Sequence, residues 1–271
     1  MRPGEVFGYL GPNGAGKTTT IRLLMALVRP TRGSARVFGL DCQRQAVAVK
    51  RRVGYLPGDL PQFGGLRGSE IVAYLASLRG RVDDATVRAL AERFELDLGR
   101  PYREYSRGNK QKLAIMLAFM HQPDLLLLDE PTASLDPLNQ QTFYELLRET
   151  RARGATVFLS SHILSEVEVV CDRIAMLREG RLATVAPLEE LQHFRARHVE
   201  IEFAAGPPAQ ALAAANGVEG LKVNGRRATF TLRGDFDPVL RAVAGARVLS
   251  LTSREPTLEE IFLRYYGPAA P

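Results

Sequence analysis

The sequence predicts an α/β protein with a mostly parallel sheet, a helical subdomain inserted into it, and a small α+β domain after it. Three observations predict this. Short apolar runs at residues 125–128 and 156–159 flank a stripe of helical periodicity, the pattern of parallel strands buried on both faces. Between about residues 60 and 122 apolar residues recur at helical spacing. After His198 the pattern changes to period-two alternation.

The elements follow in order. Residues 5–10 (EVFGYL) read as a buried strand, and residues 18–28 as a helix with Ile21, Leu24, Met25 and Val28 on one face. Residues 36–38 and 52–56 read as further short strands. In the helical stretch, Ile71, Tyr74, Leu75 and Leu78 form one stripe, with Ser69 placed to cap its start. Val87, Leu90, Ala91 and Phe94 form a second stripe; Leu113, Met116, Leu117 and Met120 form a third. These are core faces rather than cofactor contacts. Phe143, Leu146, Leu147 and Thr150 mark a helix between the two buried strands. Residues 174–177 and 182–185 form a hairpin around Glu179-Gly180-Arg181, and Pro187 opens a helix. Beyond it the order is strand (199–203), helix (207–216), two strands joined at Asn224-Gly225, helix (237–244), strand (247–251) and a final helix (256–266). That β-α-β-β-α-β order is ferredoxin-like. The expected domains are residues 1–195 and 198–271.

Composition excludes several classes. The net charge of +6 over 271 residues is spread out and comes mostly from Arg, with no block of the kind that forms a nucleic-acid arm. No nucleic-acid partner is expected. The two cysteines, Cys42 and Cys171, form no CxxC pair and read as buried reduced thiols. No apolar run approaches the roughly 18 residues of a spanning helix, so a membrane role requires a second chain.

Residues 11–18 (GPNGAGKT) fit GxxxxGK[ST] without a mismatch, between a strand and a helix. This is the phosphate loop of a P-loop NTPase. Gly11, Pro12, Asn13, Gly14, Ala15 and Gly16 form the loop, whose glycines let the backbone N–H groups turn inward around a phosphate, and the helix that begins at Lys17, Thr18 and Thr19 presents its positive end to the same anion. Lys17 adds a charge at the β- and γ-phosphates, and the Thr18 hydroxyl is a ligand for Mg²⁺. A ligand-free glycine turn does not require Lys and Thr in this order. Residues 125–131 (LLLLDEP) carry two carboxylates to the end of a buried strand, where ligands bind in open α/β sheets. Asp129 is placed to hold Mg²⁺, and Glu130 to polarise an attacking water.

At this point the chain resembles the ATP-binding subunit of an ABC transporter, of the bacterial multidrug and antibiotic-resistance exporter type. The resemblance covers residues 4–185. GPNGAGKT is similar to the Walker A loop, LLLLDEP to the Walker B strand, Ser134-Leu135-Asp136 to the D-loop, and Ser160-Ser161-His162 to the switch histidine with its strand. Tyr105-Ser106-Arg107-Gly108-Asn109-Lys110-Gln111 stands where the signature LSGGQ belongs. The resemblance implies ATP and Mg²⁺ as ligands, Glu130 and His162 as catalytic residues, and Asp136 as the D-loop acid. It implies that Ser106 and Gly108 reach across a homodimer or heterodimer to ATP on the other subunit. Hydrolysis then powers a separate transmembrane permease from the cytoplasmic face of the membrane, exporting drugs, antibiotics or lipids. Two other readings are a soluble ABC ATPase and a catalytically weak partner in an asymmetric dimer. Fewer than 100 residues, without sustained heptads, separate Lys17 from Ser106, which argues against the coiled-coil repair members. Glu130 and His162 argue against the weak partner.

Three departures stand out. Arg107 replaces a signature glycine, either pointing away from the phosphate or offering it a guanidinium. Gly58, in Tyr55-Leu56-Pro57-Gly58-Asp59, falls where the family's Q-loop glutamine belongs, which leaves Asp59 as a substitute contact for water or metal. Only Met1-Arg2-Pro3-Gly4 precede the first strand, so the family's adenine-stacking aromatic is expected upstream of a truncated start. The tail, including Glu255-Pro256-Thr257-Leu258-Glu259-Glu260-Ile261-Phe262, resembles that of the same exporter subunits and reads as an accessory domain.

Overall fold

The computed structural model describes residues 1–80, 82–191 and 196–254. Its contacts divide the chain into two units, residues 1–186 and 187–271.

The first unit is built on a six-stranded sheet. Its strands are β1 (Val6–Leu10), β4 (Val53–Leu56), β5 (Leu125–Asp129), β6 (Thr156–Ser161), β7 (Arg173–Arg178) and β8 (Arg181–Pro187), in the order β4-β5-β6-β1-β7-β8. The pairings β4–β5, β5–β6, β6–β1 and β1–β7 are parallel. A small ribbon of β2 (Arg36–Val37) and β3 (Leu40–Asp41) stands apart. Every residue of β1 and β5 is buried, because helices cover both faces. Phe7, Tyr9, Leu125, Leu127 and Phe158 face one layer, with Ile21 of α1 (Lys17–Leu24), Met25 just after it and Val49 of α2 (Ala46–Arg52). The other helices are α3 (Gly68–Arg79), α4 (Asp84–Arg93), α5 (Arg107–Phe119), α6 (Pro137–Ala152) and α7 (Leu164–Val170). Of these, α3 to α5 form the insertion expected over residues 60–122.

Several boundaries differ from expectation. Helix α1 ends at Leu24 rather than Val28. Ala26 adopts φ 50°, and the amides of Ala26 and Leu27 bond Leu23 and Arg22 in a Schellman closure made without glycine. Ser69 is not the cap of α3. The chain enters at Arg67, whose amide is held at 2.7 Å by Glu70, and Ser69 lies within the helix. Pro187 ends β8, and the helix that follows begins one residue later. The β7–β8 hairpin forms as expected, with Glu179 and Gly180 both at positive φ.

The second unit opens with α8 (Leu188–Leu191). Its sheet contains β9 (Ala196–Phe203), β10 (Val218–Asn224), β11 (Arg227–Arg233) and β12 (Val248–Arg254) in the order β10-β11-β9-β12, all antiparallel. With α9 (Ala209–Ala214) after β9 and α10 (Asp237–Val243) after β11, this is the split β-α-β topology. Val199, Ile201, Phe203, Phe230 and Leu232 pack against Leu212 and Val239, forming a separate core. The helix expected at residues 256–266 lies outside the described residues. No helix among the described residues is long and apolar enough to cross a membrane.

Candidate active site

The site forms where β1, β5 and β6 end side by side. Between β1 and α1 the loop turns through Gly14 and Gly16, at φ 80° and 106°. A side chain at Gly16 would be strained at the point where α1 begins. No side chain caps α1, so its first-turn amides remain available to an anion. Gly11 donates to the Ser161 carbonyl at 3.3 Å, and the Ala15 carbonyl accepts from Gly180 at 3.0 Å, tying the loop to β6 and to the β7–β8 turn. A cavity of about 320 Å³ opens above it, lined by Asn13, Gly14, Gly16, Lys17, Thr18, Thr19 and Glu130. Gly11, Pro12 and Ala15 shape the loop from beneath.

Lys17 is 5% exposed. Its ammonium donates to the carbonyls of Gly11 at 2.7 Å and Pro12 at 3.2 Å, and lies 3.3 Å from Glu130 Oε1. The other oxygen of Glu130 is 2.8 Å from His162 Nδ1. Glu130 itself sits at φ 49°, an uncommon conformation for a residue with a side chain. Its amide is held at 3.2 Å by both the carbonyl and the hydroxyl of Ser160. Sequence reasoning named Lys17, Glu130 and His162 separately; the fold makes them one chain of contacts.

Asp129 is fully buried. Oδ1 accepts from Ser160 Oγ at 2.6 Å, while Oδ2 has no partner among the described residues. A carboxylate oxygen without a partner among the described residues suits Mg²⁺ that arrives with phosphate and keeps water ligands. No cluster of three or more His, Cys, Asp or Glu suited to a metal occurs among the described residues. Gly58 lies directly against this carboxylate, since a Cβ there would fall 2.9 Å from Oδ2. Asp59 stands on the outer side of the loop. Its carboxylate pairs with Arg22 at 2.9 Å and is 90% exposed, because α1 offers a guanidinium there.

The signature residues stand elsewhere. Ser106 caps α5 by accepting from the Asn109 amide at 3.2 Å. Gly108 fits against the Ser134 carbonyl, 3.1 Å from where a Cβ would stand. Arg107 is exposed. Asp136 caps α6, accepting from the Asn139 amide at 2.9 Å; that bond and one from the Asn139 side chain hold its carboxyl below the usual carboxylate range. None of Ser106, Gly108 and Asp136 lines the cavity of its own chain.

Two contacts had no sequence signal. Gln111, 4% exposed, donates to the Pro131 carbonyl at 2.7 Å. Glu166 accepts from Thr132 and from Ser161, both at 2.7 Å. Neither spacing nor residue type marks these side chains, because Pro131 and Thr132 lie 20 and 34 residues from Gln111 and Glu166.

A phosphate loop at the end of a strand of a parallel sheet, with a carboxylate pair at the end of the next strand but one, defines a nucleoside-triphosphatase of the P-loop class. The ABC transporter family model matches residues 1–133, and that of the C-terminal domain of DrrA1-3-like ATP-binding proteins matches residues 187–266. An uncharacterised ABC transporter ATP-binding protein of Nostoc is 33% identical, over 96% of this chain and 79% of that one. The daunorubicin resistance ATP-binding protein DrrA3 of Streptomyces coeruleorubidus is 34% identical, over 97% and 88%. The solved ATP-binding subunit of an ABC transporter superposes with a TM-score of 0.65 at 32% identity, covering 70% of this chain and 81% of that one. The chain belongs to the ABC transporter family, as an ATP-binding subunit that hydrolyses ATP.

Proposed function

We propose that this subunit works as a dimer at the cytoplasmic face of a membrane and powers a separate permease that exports a drug-, antibiotic- or lipid-like cargo. The cargo class rests on the daunorubicin resistance for which the Streptomyces relative is named. The contact chain Lys17–Glu130–His162 at the floor of the loop cavity carries the mechanistic reading.

The loop amides and Lys17 bind the phosphates of ATP. Thr18 and the Asp129 oxygen that has no partner among the described residues would hold Mg²⁺, which would supply charge neutralisation at those phosphates. Lys17 exchanges its carboxylate contact for phosphate, and Glu130 turns to orient and polarise the attacking water. His162 keeps Glu130 and the γ-phosphate in register. Ser106 and Gly108 of a second copy close the open side of the cavity, and Arg107 stands beside them with a guanidinium suited to the same anion.

Glu130→Gln tests the reading. The variant is expected to bind MgATP, to persist as an ATP-bound dimer in gel filtration, and to lose turnover. Hydrolysis at the wild-type rate overturns the assignment. Co-purification with a membrane-embedded protein tests the permease partner.

A further inference from the structure

The catalytic pair Glu130–His162 joins two loops that are not neighbours in sequence. Glu130 follows β5, and His162 follows β6. Their side chains meet at 2.8 Å, a distance that depends on the two loop backbones holding a fixed relation. The strand pairing that aligns them stops at Asp129 opposite Ser160. Beyond that rung the Glu130 amide still bonds the carbonyl and hydroxyl of Ser160 at 3.2 Å, and a side-chain contact joins the residues that follow.

Glu166 occupies that place. One carboxylate oxygen accepts the hydroxyl of Thr132, two residues after Glu130, at 2.7 Å; the other accepts the hydroxyl of Ser161, one residue before His162, also at 2.7 Å. Ser161 grips the loop on its other side as well, because the Ile163 amide donates to its oxygen at 3.0 Å. Thr132 and Ser161 are buried, so water does not compete freely for either hydroxyl. Glu166 is held in turn by the first turn of α7, which packs on β1 and β6 through Val167.

We propose that Glu166 is a positioning residue for ATP hydrolysis: its carboxylate clamps the loop after Glu130 to the loop carrying His162 and thereby sets their separation. The inference rests on the assignment of that pair as catalytic. A clamp of this kind acts on the chemical step, where a displacement of about 1 Å can cost on the order of a hundredfold in rate, and not on the loop that grips the phosphates.

The test measures kcat, KM for ATP and ADP affinity of the full chain for Glu166→Ala, Glu166→Gln and Thr132→Val, with Glu130→Gln in parallel. Glu166→Ala is expected to lower kcat by about ten- to a hundredfold, with KM and ADP affinity within about twofold of wild type. Glu166→Gln restores most of kcat, since an amide accepts one hydroxyl through its oxygen and donates to the other through its nitrogen. Thr132→Val, which keeps shape and removes one arm, lowers kcat alone and serves if the alanine variant does not fold. Unchanged kcat in the alanine and valine variants overturns the proposal, as does a parallel loss of kcat and ADP affinity that glutamine does not rescue. If Glu130→Gln turns over normally, the catalytic pair itself is misassigned; if it is inactive while Glu166→Ala is wild-type, only the clamp falls.

Discussion

Buried charge is costly unless it is paired, and the residues of this site answer that constraint one by one. Lys17 lies in the floor of the loop with two carbonyls and a carboxylate around its ammonium, so the empty cavity already holds an arrangement that phosphate oxygens can replace. Asp129 goes further and leaves one buried oxygen unspent, which is affordable only where an occupant supplies the missing partner. His121 shows the opposite resolution. Its Nε2 lies 3.4 Å from the Val53 carbonyl, its Nδ1 has no partner among the described residues, and burial together with the Arg79 guanidinium pushes its pKa down to about 4. The native imidazole therefore stays neutral where the unfolded chain, with a value near 6.5, is already protonated. Between pH 6.5 and 4 the unfolded state binds more protons, so the stability due to this residue is lost as pH falls through that window. Thermal melts of His121→Gln are expected to show a smaller loss of Tm from pH 6.5 to 4 than the wild type. Identical slopes for the two proteins would reject the account.

At the scale of elements, α5 is the piece that carries the signature and also braces the catalytic strand. Ser106 caps it, Gly108 fits against Ser134, and one turn further on Gln111 reaches the Pro131 carbonyl just beyond Glu130. Removing that donor leaves a buried carbonyl unpaired. Gln111→Leu is expected to lower unfolding free energy by about 1–3 kcal/mol in denaturant titration, and a loss below about 0.5 kcal/mol would show the carbonyl finding another partner. This brace also explains what was legible beforehand and what was not. The phosphate loop reads directly because its chemistry needs contiguous residues: glycines to turn, then Lys17 and Thr18 to bind. Strands β5 and β6 read because burial on both faces leaves an unbroken apolar run in each, Leu125–Leu128 and Val157–Leu159. The end of α1 does not read, since Ala26 takes the left-handed position that glycine ordinarily announces. Helix α7 is nearly silent, with Val167, Val169 and Val170 favouring strand as much as helix. Gln111 and Glu166 are ordinary polar residues until the fold brings β5, β6, α5 and α7 together. The contiguous half of the site was thus readable, and the half made by tertiary contact was not.

For the whole molecule, what matters is which groups face the loop cavity and which do not. The phosphate loop and Glu130 line it, while Ser106 and Gly108 of the same chain are committed to the cap of α5 and to the contact with Ser134. On the proposed function, Ser106 and Gly108 of another copy supply the open wall of the site. Turnover per chain should then fall on dilution, in step with the dimer fraction measured by sedimentation. A mixing experiment separates a shared site from simple mutual stabilisation. Lys17→Ala removes the phosphate charge from a chain's own loop. Ser106→Asp keeps an N-cap acceptor on α5 but sets a carboxylate where the neighbour's phosphate must approach. Each variant alone is expected to be inactive. In an equal mixture half the dimers are mixed, and each of these holds one site with an intact Lys17 from one chain and an intact Ser106 from the other. Activity should recover to about a quarter of the wild-type rate per chain if the two sites act independently. Recovery near that level establishes a site built across two copies. No recovery from variants that still dimerise would mean that both sites must fire together or that Ser106 serves only its own helix. A dilution series on the wild type separates those two outcomes, because only the first makes activity depend on the dimer.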